Sequence, residues 1–289
     1  MLDRRGPILN AQEIELDHVD TIKRLLKTVQ ASEKMHALLI TGPAGFGKST
    51  AVDEALRQST AKSVHLGAYS SPLNFFNFLF EHSAKGTTVV IDDTSGLYGE
   101  PTAMAILKAA TWEQGKPRVL RWGSTTGRAA VEEFEFQGKI VIVCNNFPTT
   151  SDASAVRSRA FPYAFEVSES KARELLISAA ENSKWFKNTK LAGKVAGYLC
   201  NAISESTLSQ ISYRTLQMGY ELAEHNPDDW QLLLGRMISV DVEDPHRLIK
   251  KLSKEKITVA EQMQRFEKAT GFKRRTFFKY RRELNISSR

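Results

Sequence analysis

Apolar positions in the first half of the chain come in short, nearly uninterrupted runs. Residues 36–41, 63–66, 87–91, 139–144 and 163–167 read as strands. Stretches with helical spacing separate most of them, beginning near Lys48, Pro72 and Pro101. Strands buried on both faces and interleaved with helices predict a parallel α/β sheet. Upstream, residues 20–31 place Ile22, Leu25, Leu26 and Val29 on one helical face. Beyond Ser168 the strand pattern stops. Helical spacing takes over at 172–180, 192–203 and 213–223, Pro227 interrupts it, and Trp230 opens a further helix. The acidic stretch 241–245 reads as a linker.

A chain of 289 residues has room for about two domains. Its 42% hydrophobic content is enough to bury a core, which argues against wholesale disorder. No apolar run is longer than 140–144, far short of the roughly 20 residues of a membrane helix. The N-terminal residues show no apolar signal region. Two cysteines, Cys144 and Cys200, make neither a disulfide framework nor a metal cluster. The expectation is a cytoplasmic protein with no membrane partner. Charge changes the picture. Residues 246–289 carry 14 Lys+Arg against 4 Asp+Glu, whereas residues 1–245 have a net charge of -3. A basic surplus confined to one end is the electrostatic footprint of a nucleic-acid contact, or else a solvated tail.

The strongest local signal is Gly42-Pro43-Ala44-Gly45-Phe46-Gly47-Lys48-Ser49, which fits G-x-x-x-x-G-K-[ST] between a strand and a helix. Such a loop wraps phosphates with its backbone N–H groups at a helix N-terminus. Residues 42–50, ending at Thr50, are therefore expected to bind nucleotide. Lys48 is the cation for the β- and γ-phosphates, and Ser49 a ligand of Mg²⁺. The strand Val89-Val-Ile-Asp92-Asp93 ends in two carboxylates, and such a strand should lie beside the phosphate loop. Asp92 is assigned to the metal's shell and Asp93 to the general base.

With these two motifs, the chain resembles AAA+ ATPases, particularly small ones carried by phages and mobile elements, over roughly residues 35–230. The resemblance implies a sensor at the end of 140–144, with Asn146 as the residue that positions the lytic water and Asn145 as the alternative. It implies an arginine finger in Ala155-Val-Arg157-Ser-Arg159, with Arg159 preferred over Arg157, serving a neighbouring subunit. It also implies a lid arginine at Arg214, for which a solvated or ion-paired role is equally open. Asp93 stands where the family usually carries Glu. One methylene less sets the base further from the water, which allows slow turnover or a switch that uses ATP for assembly.

Residues 116–136 read as a β-hairpin, because Phe134 and Phe136 alternate with Glu133 and Glu135. Arg118, Arg121 and Arg128 would either touch DNA or pair with the glutamates. In the basic segment, Thr258 and Glu261 form a capping box that opens one helix. Gly271 stops it, and 273–284 reads as a second helix with Phe277, Tyr280 and Leu284 on its apolar stripe. This is the helix-turn-helix plan, with Arg274, Arg275, Lys279, Arg281 and Arg282 as DNA contacts. The alternative is a charged hairpin docked on the ATPase body.

The resulting expectation is an α/β P-loop parallel-sheet ATPase core with a helical lid and a small all-α C-terminal module. Its parts are an N-terminal helical segment (1–34), the nucleotide-binding core (35–167), the lid (168–240) and the DNA-binding module (241–289). The expected activity is Mg²⁺-dependent ATP hydrolysis coupled to DNA in a ring or filament of identical subunits. The expected process is replication, helicase loading or a mobile-element transaction, in company with a replication or recombination protein. The competing readings are a superfamily-three-like helicase and a nucleotide-switched DNA-binding regulator.

Overall fold

In the computed structural model, which describes residues 18–94, 96–112, 117–123, 129–238, 245–255, 257–270 and 272–286, the apolar runs become strands. These are β1 (Ala37–Thr41), β2 (Lys62–His65), β3 (Thr87–Asp92), β4 (Val119–Arg121), β5 (Glu133–Glu135), β6 (Lys139–Cys144) and β7 (Phe161–Ala164). Five of them form one parallel sheet in the order β2-β3-β6-β1-β7. The central strands β1, β3 and β6 are buried at nearly every position, as their uninterrupted apolar pattern requires. Each fully buried Val, Leu or Ile there contributes about 1.5–3 kcal/mol. The edge strands β2 and β7 retain exposed positions.

Helices α1 (His18–Ala31), α2 (Lys48–Arg57), α3 (Pro72–Glu81), α4 (Pro101–Thr111) and α5 (Ser151–Arg159) belong with this sheet. Ile22, Leu26 and Val29 of α1 are buried as their spacing predicts. Pro72 and Pro101 stand in the first turns of α3 and α4, where a missing N–H costs nothing. This is a P-loop α/β core. Its chain division is Met1–Pro43 with Gly47–Glu166, against a second unit of Ala44–Phe46 with Val167–Arg289.

At the N-terminal ends of β1 and β6, Lys139 Nζ donates to the carbonyls of Ser32 and Met35 and to His36 Nδ1. Burial, followed by the charges of Arg118 and Lys139, pushes His36 down to about 4, so its ring is neutral.

Among its described residues the second unit is helical: α6 (Glu169–Ala180), α7 (Thr189–Ala202), α8 (Tyr213–His225), α9 (Trp230–Met237), α10 (Pro245–Leu252), α11 (Val259–Thr270) and α12 (Arg274–Glu283). Ser168, Asn188 and Ser212 cap α6, α7 and α8 by accepting backbone N–H groups with their side chains. Helices α10–α12 share a small core of Leu248, Ile249, Leu252, Phe266, Phe272, Phe277 and Tyr280. The capping box of α11 forms as its sequence dictates: Thr258 N donates to Glu261 Oε2 at 2.9 Å, and Glu261 N to Thr258 Oγ1 at 3.2 Å. Gly271 and most of the 241–245 linker lie outside the described residues. Among the described residues no helix is long and apolar enough to cross a membrane.

Candidate nucleotide-binding site

The phosphate loop follows β1 and ends in α2. Gly47 is the N-cap of α2 at φ 88°, a conformation that costs a side chain energy and glycine nothing. Gly42 is required for another reason: a Cβ there would stand 2.2 Å from the Phe165 carbonyl oxygen. Lys48, 5% exposed, is folded back over the loop. Its Nζ donates to Gly42 O at 2.9 Å, Pro43 O at 2.7 Å and Asn145 Oδ1 at 2.9 Å.

Sheet order sets the rest of the site. β6 lies between β1 and β3, so the acid strand is one strand removed from the phosphate-loop strand. The acids meet the loop across the end of β6. There Asn145 donates twice to Asp93: its N–H to Oδ1 and its Nδ2 to Oδ2, each at 3.3 Å. Asp93 N in turn donates to Val143 O at 2.9 Å, and Asp93 has φ 42°. A left-handed aspartate costs on the order of 1 kcal/mol, and such strain collects at functional sites. Burial raises the Asp92 pKa, and the charges of Asp93 and Asp53 act in the same direction, whereas the Ser49 hydroxyl acts to lower it. Lys48, Asn145 and Asp93 thus form one continuous chain of hydrogen bonds.

The bridging amide is Asn145. Asn146, the residue preferred from sequence, is exposed and takes no part in this chain. Thr50 is exposed on the first turn of α2. Ala44, Gly45 and Phe46 belong to the second unit, where Gly45 O accepts Tyr213 N at 3.1 Å and the Phe46 and Tyr213 rings stand edge to face. Arg214 is exposed in the first turn of α8.

Arg159 ends α5 with Nη1 donating to Ala155 O at 2.7 Å and its guanidinium 6.0 Å from the Trp112 ring centroid. Arg157 is exposed, 6.0 Å from the Phe147 ring centroid. The hairpin forms as β4–β5, with Arg121 opposite Glu133. Its described arginines, Arg118 and Arg121, are occupied within the chain. Arg118 is buried and donates to Ala110 O and Gly138 O, and Arg121 pairs with Glu133 at 2.6 Å. Arg118 therefore cannot be a DNA contact at a hairpin tip. Arg128 lies outside the described residues.

On α12, Arg274, Arg275, Lys279 and Arg282 are exposed. Arg281 corrects the sequence reading. It is 4% exposed, and its Nη1 donates to Gln262 Oε1 of α11 at 2.5 Å. Its position beside Phe277 and Tyr280 turns it inward, and it holds α11 to α12 instead of facing a ligand.

Among solved structures, the chain is similar to Cdc6p from Pyrobaculum aerophilum, at 12% identity and TM-score 0.49 over 92% of this chain and 84% of that one. It is similar to the Orc1 protein of Aeropyrum pernix, solved in complex with DNA, at 13% identity and TM-score 0.47 over 94% and 84%. It is also similar to the RuvB Holliday junction branch migration motor of Thermotoga maritima, at 14% identity and TM-score 0.45 over 91% and 85%. No protein-family model and no curated protein matches the chain.

Two residues beside the acids carried no signal in the sequence. Tyr98 packs edge to face against Phe147, and burial first, then the nearby Cys144, Asp93 and Asp92, raises its hydroxyl pKa. Burial pushes the Cys144 thiol up to about 11, so it is a neutral wall of the site. A tyrosine in a post-strand loop has no local pattern that would reveal this placement.

Proposed function

We propose that the chain is an AAA+-type ATPase that hydrolyses ATP with Mg²⁺ and acts on DNA. The observation that carries this reading is the bond chain Lys48–Asn145–Asp93 at the mouth of a complete phosphate loop. It brings a phosphate-binding cation, a polar sensor and a carboxylate base to one end of the sheet. In open α/β sheets that end is where ligands bind.

The residues fit the nucleotide and its metal. Backbone N–H groups of the phosphate loop hold the phosphates, and Lys48 exchanges carbonyl oxygens for phosphate oxygens. Ser49 and Asp92 are the pair that would hold Mg²⁺, which when bound neutralises charge on the β- and γ-phosphates. Asp93 accepts the proton of the attacking water, and Asn145 orients it. Arg159 acts on the nucleotide of a neighbouring subunit in a ring or filament, and Arg214 approaches from the lid. The exposed Arg274, Arg275, Lys279 and Arg282 of α12 are the DNA contacts of a helix-turn-helix module. The process is replication, helicase loading or a mobile-element transaction.

One observation favours a second reading. Asp93 is short and already engaged by both donors of Asn145. That suits a nucleotide-switched DNA-binding regulator with little turnover. Phosphate release by the purified chain, with and without DNA, tests both. DNA-stimulated hydrolysis that vanishes in Lys48→Ala supports the ATPase. ATP binding with negligible release under both conditions selects the switch.

A further inference from the structure

The second unit carries a cationic surface that the nucleotide site and α12 do not use. Between Glu181 and Glu205 the chain has no Asp or Glu, yet it contains Lys184, Lys187, Lys190 and Lys194. All four lysines are exposed. Among the described residues none of their ammonium groups is paired with a carboxylate. Cations on the adjoining α6 behave differently: Lys171 pairs with Glu174, and Arg173 with Glu169. A solvated helix face normally mixes both signs, so a run without acids is a departure with a physical consequence.

Lys184 and Lys187 flank a large exposed aromatic in the sequence. Trp185 is 43% exposed, and its ring stands edge to face against Tyr213 with centroids 5.3 Å apart. The loop bearing it is anchored: Phe186 is buried against Tyr220, and Asn188 N donates to the Tyr220 hydroxyl at 3.3 Å. Lys184, Trp185 and Lys187 are therefore presented from a fixed loop into α7. On α7, Lys190 and Lys194 share their exposed face with Gly193 and Gly197. Nothing lies within 4 Å of where a Cβ would stand at either glycine, so neither is required by internal packing. Glycine is a poor helix former, and here it leaves a smooth floor between the lysines.

We infer that this surface, residues 184–197, binds single-stranded nucleic acid. Lysines tracking a phosphate backbone beside an aromatic on which a base can stack are the elements of sequence-tolerant single-strand binding. The inference rests on the proposal that the chain acts on DNA. It adds a strand contact separate from the duplex contact assigned to α12.

Oligothymidylate and a duplex of equal length, each titrated into the full chain across a salt series, provide the test. Every lysine–phosphate pair removed from single-strand binding should lower the slope of log affinity against log salt by about 0.7. Lys190→Gln with Lys194→Gln should thus flatten the oligothymidylate slope by roughly 1.4. The duplex slope should stay as it is. Trp185→Phe keeps a ring against Tyr213 and should abolish the part of tryptophan quenching that oligothymidylate causes at this site. Gly193→Ala with Gly197→Ala should raise Tm while weakening oligothymidylate binding, which a purely structural role would not do.

An unchanged oligothymidylate slope in the lysine variant, with duplex binding still abolished by Arg275→Ala, Lys279→Ala, Arg282→Ala, overturns this inference alone. Failure of the wild-type chain to bind either nucleic acid at low salt overturns the DNA reading as a whole. Loss of polyglutamate binding in the lysine variant, with oligothymidylate binding retained, makes the surface a protein interface and overturns the assignment.

Discussion

Asn145 Oδ1 accepts Lys48 Nζ at 2.9 Å, so the lysine of the phosphate loop is held by the residue that follows β6. The same side chain donates to Asp93. An oxygen that takes Lys48 therefore also removes one of the forces that fix Asn145 on Asp93. Asn145→Ala should retain ATP binding and lower turnover on the order of 10²-fold, as removal of one oriented polar group does. Asn146→Ala should change turnover little. Steady-state phosphate release by the two variants checks the assignment, and equal losses would contradict it.

Lys48→Ala and Asp93→Asn should separate binding from hydrolysis. Loss of the lysine removes a charged hydrogen bond worth roughly 1.5–3 kcal/mol, or about 10–100-fold in ATP affinity. Asp93→Asn preserves shape and removes the proton acceptor, so calorimetry should show ATP binding while single-turnover hydrolysis falls.

Arg159→Ala should leave ATP binding intact and reduce hydrolysis by on the order of 10³-fold. In the single chain the guanidinium donates to Ala155 O of its own helix, a bond that the proposed finger role would exchange for a neighbour's nucleotide. Mixing Arg159→Ala with Lys48→Ala chains should restore part of the activity. Strictly additive behaviour across mixing ratios would mean that no finger is exchanged between subunits.

Arg281 and Arg282 are adjacent in sequence and should fail differently. Arg281→Ala removes a buried charged hydrogen bond to Gln262 and should cost about 2 kcal/mol of stability, visible as a lower denaturation midpoint. Arg282→Ala should leave that midpoint unchanged. If Arg282 contacts phosphate, its removal should flatten the duplex salt slope by about 0.9.

His36 sets a pH dependence with a defined sign. Its folded value of about 4 lies below the ordinary 6.5, so the unfolded chain binds the extra proton first. Its contribution is complete above pH 6.5 and is lost as pH falls toward 4, by at most about 1.4 kcal/mol per pH unit. His36→Gln should flatten that part of a urea-midpoint profile. An identical profile in the variant would place the acid sensitivity elsewhere.

What the sequence by itself determined lies within a few residues of each motif. The phosphate loop is legible because backbone conformation and a helix N-terminus act over eight consecutive residues. The capping box at Thr258 and Glu261 and the stripe of Phe277, Tyr280 and Leu284 are local in the same way. Helix α5 escaped because it buries only Ala153 and Val156, too few apolar positions to show a period. β7 runs over Phe161–Ala164 instead of 163–167, since a strand boundary is set by pairing with β1 and not by its own residues.

Only the tertiary structure decided which asparagine faces the site and where the basic side chains go. Successive residues at a strand end point to opposite sides, so choosing between Asn145 and Asn146 requires the register of β6 between β1 and β3. Register is a long-range property of paired strands. Arg281 likewise sits at the edge of a helical stripe, where a long side chain can turn toward water or inward. The side-chain amide oxygen of Gln262, on another helix, settles that choice.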